Sequence, residues 1–104
     1  MIYNKLVRDR IPEIIQSKGG TCRTRILSDE EYVQKLDQKL GEELAEYLDS
    51  HNPEELADLL EVVYACAAVQ GLCPADLEQI RADKAEARGG FKNKILLIES
   101  EDKK

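Results

Sequence analysis

Residues 28–71 read SDEEYVQKLDQKLGEELAEYLDSHNPEELADLLEVVYACAAVQG, and the fold turns on how this stretch is divided. Ser28 followed by Glu31 is a capping box, in which each residue satisfies a backbone or side-chain partner of the other at a helix start. Tyr32, Val33, Leu36, Leu40, Leu44, Tyr47 and Leu48 then recur at helical spacing, which predicts a long helix from Asp29 to Asp49. Asn52, Pro53 and Glu55 repeat the start signal, and an apolar run from Leu56 to Val69 stops at Gly71. With only a tight turn between Asp49 and Asn52, the two helices must fold back on each other as an antiparallel hairpin.

Outward from the hairpin the punctuation continues. Pro12 suits a first helical turn, Ile11, Ile14 and Ile15 give it an apolar side, and Gly19-Gly20 ends it. Pro74 opens a further helix through Leu77, Ile80 and Lys84 to Gly89-Gly90. Thr21 to Leu27 reads as a short strand or an extended segment leading to the next cap, Lys94 to Ile98 reads as a strand, and the tail from Glu99 to Lys104 reads as a frayed end. The fold class is therefore mainly α, with short β-strands expected near residues 21–27 and 94–98. At 104 residues the chain is too short for two cores, so residues 1–104 are expected to form one domain.

Composition narrows the function. The 15 Lys+Arg against 21 Asp+Glu leave a net charge of −6, which repels nucleic-acid polymers and anionic membrane surfaces. A phosphate substrate is still admissible where metal ions neutralise the receiving site. Cys22, Cys66 and Cys73 form no CxxC pair and fit reduced thiols packed as small hydrophobes in a cytoplasmic protein. Met1 to Lys5 has no apolar signal-like run, and no stretch has the roughly 20 apolar residues of a membrane span.

The informative feature is a set of acids in the wrong place. At about 100° per residue, Glu43 shares its helix face with Leu36, Leu40 and Tyr47, and Glu46 lies at the edge of that stripe. On the second helix Glu55 shares its face with Leu59, Val62 and Cys66, and Asp58 falls at the edge beside Val62. Residues equidistant from the turn oppose each other, which sets Glu46 against Glu55 and Glu43 against Asp58. Carboxylates crowded at the edge of a core repel one another and lose hydration unless protonated or neutralised by a cation. Oxygen ligands without His or Cys nearby favour Mg²⁺, with Mn²⁺ as a substitute. The competing reading is chance: 35% of the residues are charged, and Glu55 could simply complete its own capping box.

The spacing Glu43-x-x-Glu46 with Glu55-x-x-Asp58, read as LGEELAE and EELADLLEVV, resembles the signature of the MazG-type all-α nucleotide pyrophosphohydrolases. The opening Tyr3-Asn4-Lys5-Leu6-Val7-Arg8-Asp9-Arg10-Ile11-Pro12 and the later Lys84-x-x-x-Arg88-Gly89-Gly90-Phe91 resemble the MazG-like branch labelled phosphoribosyl-ATP pyrophosphohydrolase-like. The resemblance implies an all-α NTP pyrophosphatase-like helical bundle in which Glu43, Glu46, Glu55 and Asp58 bind Mg²⁺ and activate a water. That water would cleave a nucleoside triphosphate to monophosphate and pyrophosphate. The resemblance further implies that Lys84 and Arg88, four apart on one helix face, bind the triphosphate, and its opening segment adds Lys5 and Arg8 as substrate-binding candidates. Solvated surface charge is the alternative for Lys84 and Arg88, and a basic pair that simply balances neighbouring acids is the alternative for Lys5 and Arg8. Glu61, one turn beyond Asp58, is either a supporting group behind the ligands or a solvated charge. His51 has no second histidine to help hold a metal and reads as a loop residue, and Phe91 is expected either to pack on the bundle or to stack on a base.

Two rivals accompany the leading expectation. Phosphoribosyl-ATP hydrolysis in histidine biosynthesis uses the same bond cleavage. A non-catalytic helical interaction module would use the apolar stripes for assembly and leave the acids solvated. The close run of Leu59, Leu60, Val62, Val63 and Val69 in so short a chain predicts a homodimer or homotetramer under either reading.

Overall fold

A computed structural model of the protein describes residues 1–101, so the last part of the expected frayed tail, 102–104, lies outside the described residues. Four helices follow in order: α1 (Ile11–Ser17), α2 (Asp29–Ser50), α3 (Pro53–Val69) and α4 (Pro74–Arg88). The fold is all-α, and each long helix begins where its cap chemistry requires. The Glu31 amide donates to Ser28 Oγ and the Ser28 amide to Glu31 Oε1, both at 3.2 Å, closing the box that starts α2. Asn52 Oδ1 accepts the Glu54 amide at 3.0 Å to start α3. The Cys73 amide donates to Asp76 Oδ2 at 2.9 Å ahead of Pro74 to start α4.

The turn between α2 and α3 is made by His51 in the left-handed conformation (φ 54°), with its amide on the Tyr47 carbonyl at 2.7 Å. Its ring lies 5.0 Å from that of Tyr47, and the residue is exposed, as a loop residue would be. At the other end of α3, Gly71 takes a φ of +82° that lets the Leu72 amide reach back to Ala67 O at 3.0 Å. The chain then leaves α3 at a bend of 103° into α4. Among the described helices, α2 packs on α3 and α4 on α3, whereas α1 packs on none of the others.

This layout leaves the molecule open. Among the described residues the buried apolar ones are Leu36, Val62 and Ala67, all in the hairpin. The radius of gyration is 18.5 Å, against about 13 Å for a compact domain of this length. Its 9672 Å² of accessible surface compares with about 5,900 Å² for a compact monomer of this mass.

Two expectations need correction. No strand forms among the described residues: 21–27 and 94–98 have no regular secondary structure, and Lys94 takes a left-handed φ of 59°. A strand needs a neighbour for its backbone groups, but Arg25 turns aside to Glu31 and Ile95 to Ile98 stay 75–86% exposed. The thiols are free, as expected, yet only Cys66 is half-buried; Cys22 and Cys73 are exposed. Cys22 lies in the irregular segment ahead of α2, and Cys73 is the N-cap residue of α4.

No single described helix is long and apolar enough to cross a membrane.

Candidate metal centre

The hairpin register brings Glu43 of α2 together with Glu55 and Asp58 of α3, each offering a carboxylate oxygen within 4.8 Å of the others. The reason lies in the two helix faces. Leu36 and Val62 close the hairpin's seam, and the acids occupy the next turns of the same stripes toward the His51 corner. Glu43 is buried at 7% exposure, while Glu55 and Asp58 are half-buried. Glu55 is not consumed by its own helix cap, because the Asn52 amide goes to Ser50 Oγ at 3.1 Å instead. That removes the local explanation for its position.

Glu43 is the most constrained group. Lys39, one turn earlier and itself mostly buried, places Nζ 3.4 Å from Glu43 Oε1 and 3.6 Å from Glu42 Oε2. The other oxygen, Glu43 Oε2, is buried with no hydrogen-bond partner. Burial pushes the Glu43 carboxyl above its ordinary range, Lys39 opposes this, and the charges of Glu46 and Asp58 add to it. An unpartnered buried carboxylate oxygen is costly, on the order of 1–3 kcal/mol or more. Such a group fits a hard divalent cation, which would take one Glu43 oxygen together with oxygens of Glu55 and Asp58.

The structure gathers three of the four expected acids. Glu46 is exposed and outside the 4.8 Å group, although its charge is felt at Glu43. Asp58 carries a second partner: Arg8 Nη2 donates to its Oδ1 at 2.8 Å, bringing the segment ahead of α1 onto the acids. Lys5 instead lies over the Tyr3 ring, 5.6 Å from its centroid. Lys84 and Arg88 are exposed on α4 and make no hydrogen bond or ion pair to the acids. Arg88 borders an open cleft of about 590 Å³ that is also lined by Gly90, Phe91, Lys92 and Lys94. Phe91 is 98% exposed and does not pack on the helices. Glu61 is exposed on α3.

Lys39 is the residue that sequence reasoning missed. Its signal was present as a Lys four residues before Glu43, a spacing that makes side chains neighbours on a helix. The same spacing is common on solvated helix faces, and only the burial of Glu43 gives it weight here.

No family model matches the chain, and no solved structure matches it. Over 42 residues, 40% of this chain, it is 60% identical to an uncharacterized protein of Mycolicibacterium smegmatis. The match spans 43% of that protein, less than half of its length.

Proposed function

We propose that the protein is a metal-dependent nucleotide pyrophosphohydrolase that cleaves a nucleoside triphosphate to the monophosphate and pyrophosphate. The observation that carries this reading is a buried Glu43, one of whose oxygens is unpartnered, in a group with Glu55 and Asp58 whose carboxylate oxygens lie within 4.8 Å of one another. Acids crowded in that way repel one another and favour a bound cation, and an all-oxygen donor set favours Mg²⁺ or Mn²⁺. Once bound, a divalent ion supplies charge neutralisation for incoming phosphates and lowers the pKa of a coordinated water.

The chain's own residues divide the remaining work. Glu43 anchors the site from the interior, held in place by Lys39. Glu55 and Asp58 hold the solvent side, where a phosphate can arrive. Glu46, exposed but electrostatically close to Glu43, is placed to orient a water at the rim or to complete the ligand set. Lys84, Arg88 and Lys5 are proposed to bind substrate phosphates. Since they do not touch the acids of their own chain, an assembled homodimer or homotetramer is the natural way to bring them there. A cytoplasmic setting, where Mg²⁺ and nucleotides are abundant and thiols stay reduced, fits the three free cysteines.

The exposed apolar flank of the hairpin favours a second reading, a non-catalytic helical interaction module. One assay separates the two. Pyrophosphate release is measured from each ribo- and deoxyribonucleoside triphosphate and from phosphoribosyl-ATP, with Mg²⁺ or with EDTA, for the native chain and Glu43→Gln. Mg²⁺-dependent release that Glu43→Gln abolishes supports the enzyme and ranks its substrates, phosphoribosyl-ATP included. No release from any substrate at micromolar enzyme leaves the interaction module as the better account.

A further inference from the structure

Three features remain after the acids are accounted for: the Arg8–Asp58 pair, the basic cleft after α4, and the apolar flank of the hairpin. The pair carries an inference of its own. Arg8 is a permanent cation, and it stands at the carboxylate edge that a metal ion would need. Its guanidinium reaches Asp58 Oδ1 from a segment with little other attachment: residues 1–5 are exposed, and α1 packs on no other described helix. Between them Lys39 and Arg8 neutralise Glu43 and Asp58, and no ion pair or hydrogen bond neutralises Glu55.

The two cations differ in how firmly they are held. Lys39 is on the same helix as Glu43 and its side chain is only 19% exposed. Arg8 and Asp58 have side chains 56% and 42% exposed, so solvent and salt screen their attraction. A divalent ion among three carboxylates gains far more from Asp58 than an exposed guanidinium does. Exchange at Asp58 therefore favours the ion. The Arg8 carbonyl accepts the Ile11 amide at 3.1 Å, which ties Arg8 to the start of α1.

We propose that Arg8 is a stand-in cation: it holds Asp58 in the metal-free protein, yields that carboxylate to a divalent ion, and then takes a phosphate oxygen of the substrate. This rests on the metal reading above, and adds that metal entry and phosphate recognition are coupled through one side chain. Arg suits the second task because its fork of N–H donors matches phosphate oxygens.

The test uses the full chain and Mn²⁺ alone as the first probe, followed by calorimetry. Native protein, Arg8→Gln and Arg10→Gln are titrated; Arg10 pairs with Glu13 and loses the same charge nearby without touching the acids. Arg8→Gln is expected to bind Mn²⁺ about three- to five-fold more tightly than native protein, the scale of an exposed pair, with Arg10→Gln unchanged. Pyrophosphate titrated into the Mn²⁺-saturated proteins is expected to bind Arg8→Gln about ten-fold or more weakly than native protein. Equal Mn²⁺ affinity in Arg8→Gln and native protein overturns the exchange while leaving the metal site standing. So does equal tightening by Arg10→Gln, which marks a general charge effect. Unchanged pyrophosphate affinity overturns the hand-over to phosphate. Absence of saturable Mn²⁺ binding in all three proteins removes the metal reading and this inference with it.

Discussion

Lys39 Nζ lies 3.4 Å from Glu43 Oε1, on the same helix one turn away, and this pairing leaves Glu43 Oε2 buried and without a partner. One half of the carboxylate is compensated and the other is not. On the proposed metal reading, such an arrangement would trade stability of the metal-free protein for a preformed ligand.

Glu43→Met is expected to stabilise the metal-free protein by about 1–2 kcal/mol, because a buried charged group is often weaker than an apolar side chain of similar volume. Lys39 would not be stranded, since it also reaches Glu42 Oε2 at 3.6 Å. Urea unfolding in EDTA measures the change. A midpoint below that of the native protein would show that Glu43 contributes to the fold beyond holding a ligand.

Mg²⁺ or Mn²⁺ should stabilise the native chain and not Glu43→Met. A ligand that binds only the folded state at 100 times its Kd adds about 2.7 kcal/mol, which for a chain of this size is a rise in Tm of about 10 °C or more. Thermal unfolding with each ion and with EDTA gives the answer. An equal rise in both proteins would place the ion elsewhere.

The helices and the hairpin register were legible because local chemistry sets them. Ser28 with Glu31, Asn52 with Pro53, and Gly71 each act within a turn of their own position, and the short link at His51 leaves no freedom in how α2 meets α3. From that register the meeting of Glu43 with Asp58 followed. The angular reading also separates Glu46, at the edge of its stripe, from Glu55, inside its own, and the structure leaves Glu46 exposed and Glu55 half-buried among the grouped acids. The strands expected at 21–27 and 94–98 depended on distant pairing partners, which alternation within the segment does not specify. The link from Arg8 to Asp58 spans 50 positions and is likewise invisible to local pattern.

Acid should reveal the cap of α2 as a separate contribution. Arg25 donates to both oxygens of Glu31, at 3.1 and 2.8 Å, and with the Ser28 amide it holds this carboxyl at about 2, below its ordinary 4.5. A folded-state pKa below the unfolded value means the ionised form is favoured by folding. The stabilisation is therefore complete above about pH 5 and is lost as pH falls from 4.5 toward 2. Native protein should unfold at higher urea than Glu31→Gln at pH 7, and the gap should narrow steadily below pH 4.5. A gap that stays constant to pH 2.5 would assign the effect to packing instead.

Assembly is the prediction with the widest reach, because the surface accounts for it twice over. Leu44 and Leu48 lie on one flank of α2 and Leu56 and Leu60 on one flank of α3, each between 47% and 58% exposed. At about 100° per residue, and with the helices antiparallel, those flanks fall on the same side of the hairpin. Lys39, Glu46 and Asp58 fall on the opposite side. The protomer's surface exceeds that of a compact monomer by far more than the roughly 800 Å² per partner of a standard interface, so a second hairpin can pack there without covering the acids. Light scattering over a dilution series is expected to give a dimer or tetramer for the native chain, and a monomer for Leu56→Glu with Leu60→Glu. Such a monomer should keep its Mn²⁺ affinity, since its acids come from one hairpin, and lose nucleotide turnover if Lys84 and Arg88 act on a neighbour's acids. A native chain that is monomeric at every concentration, yet fully active, would require all substrate contacts to come from within one protomer.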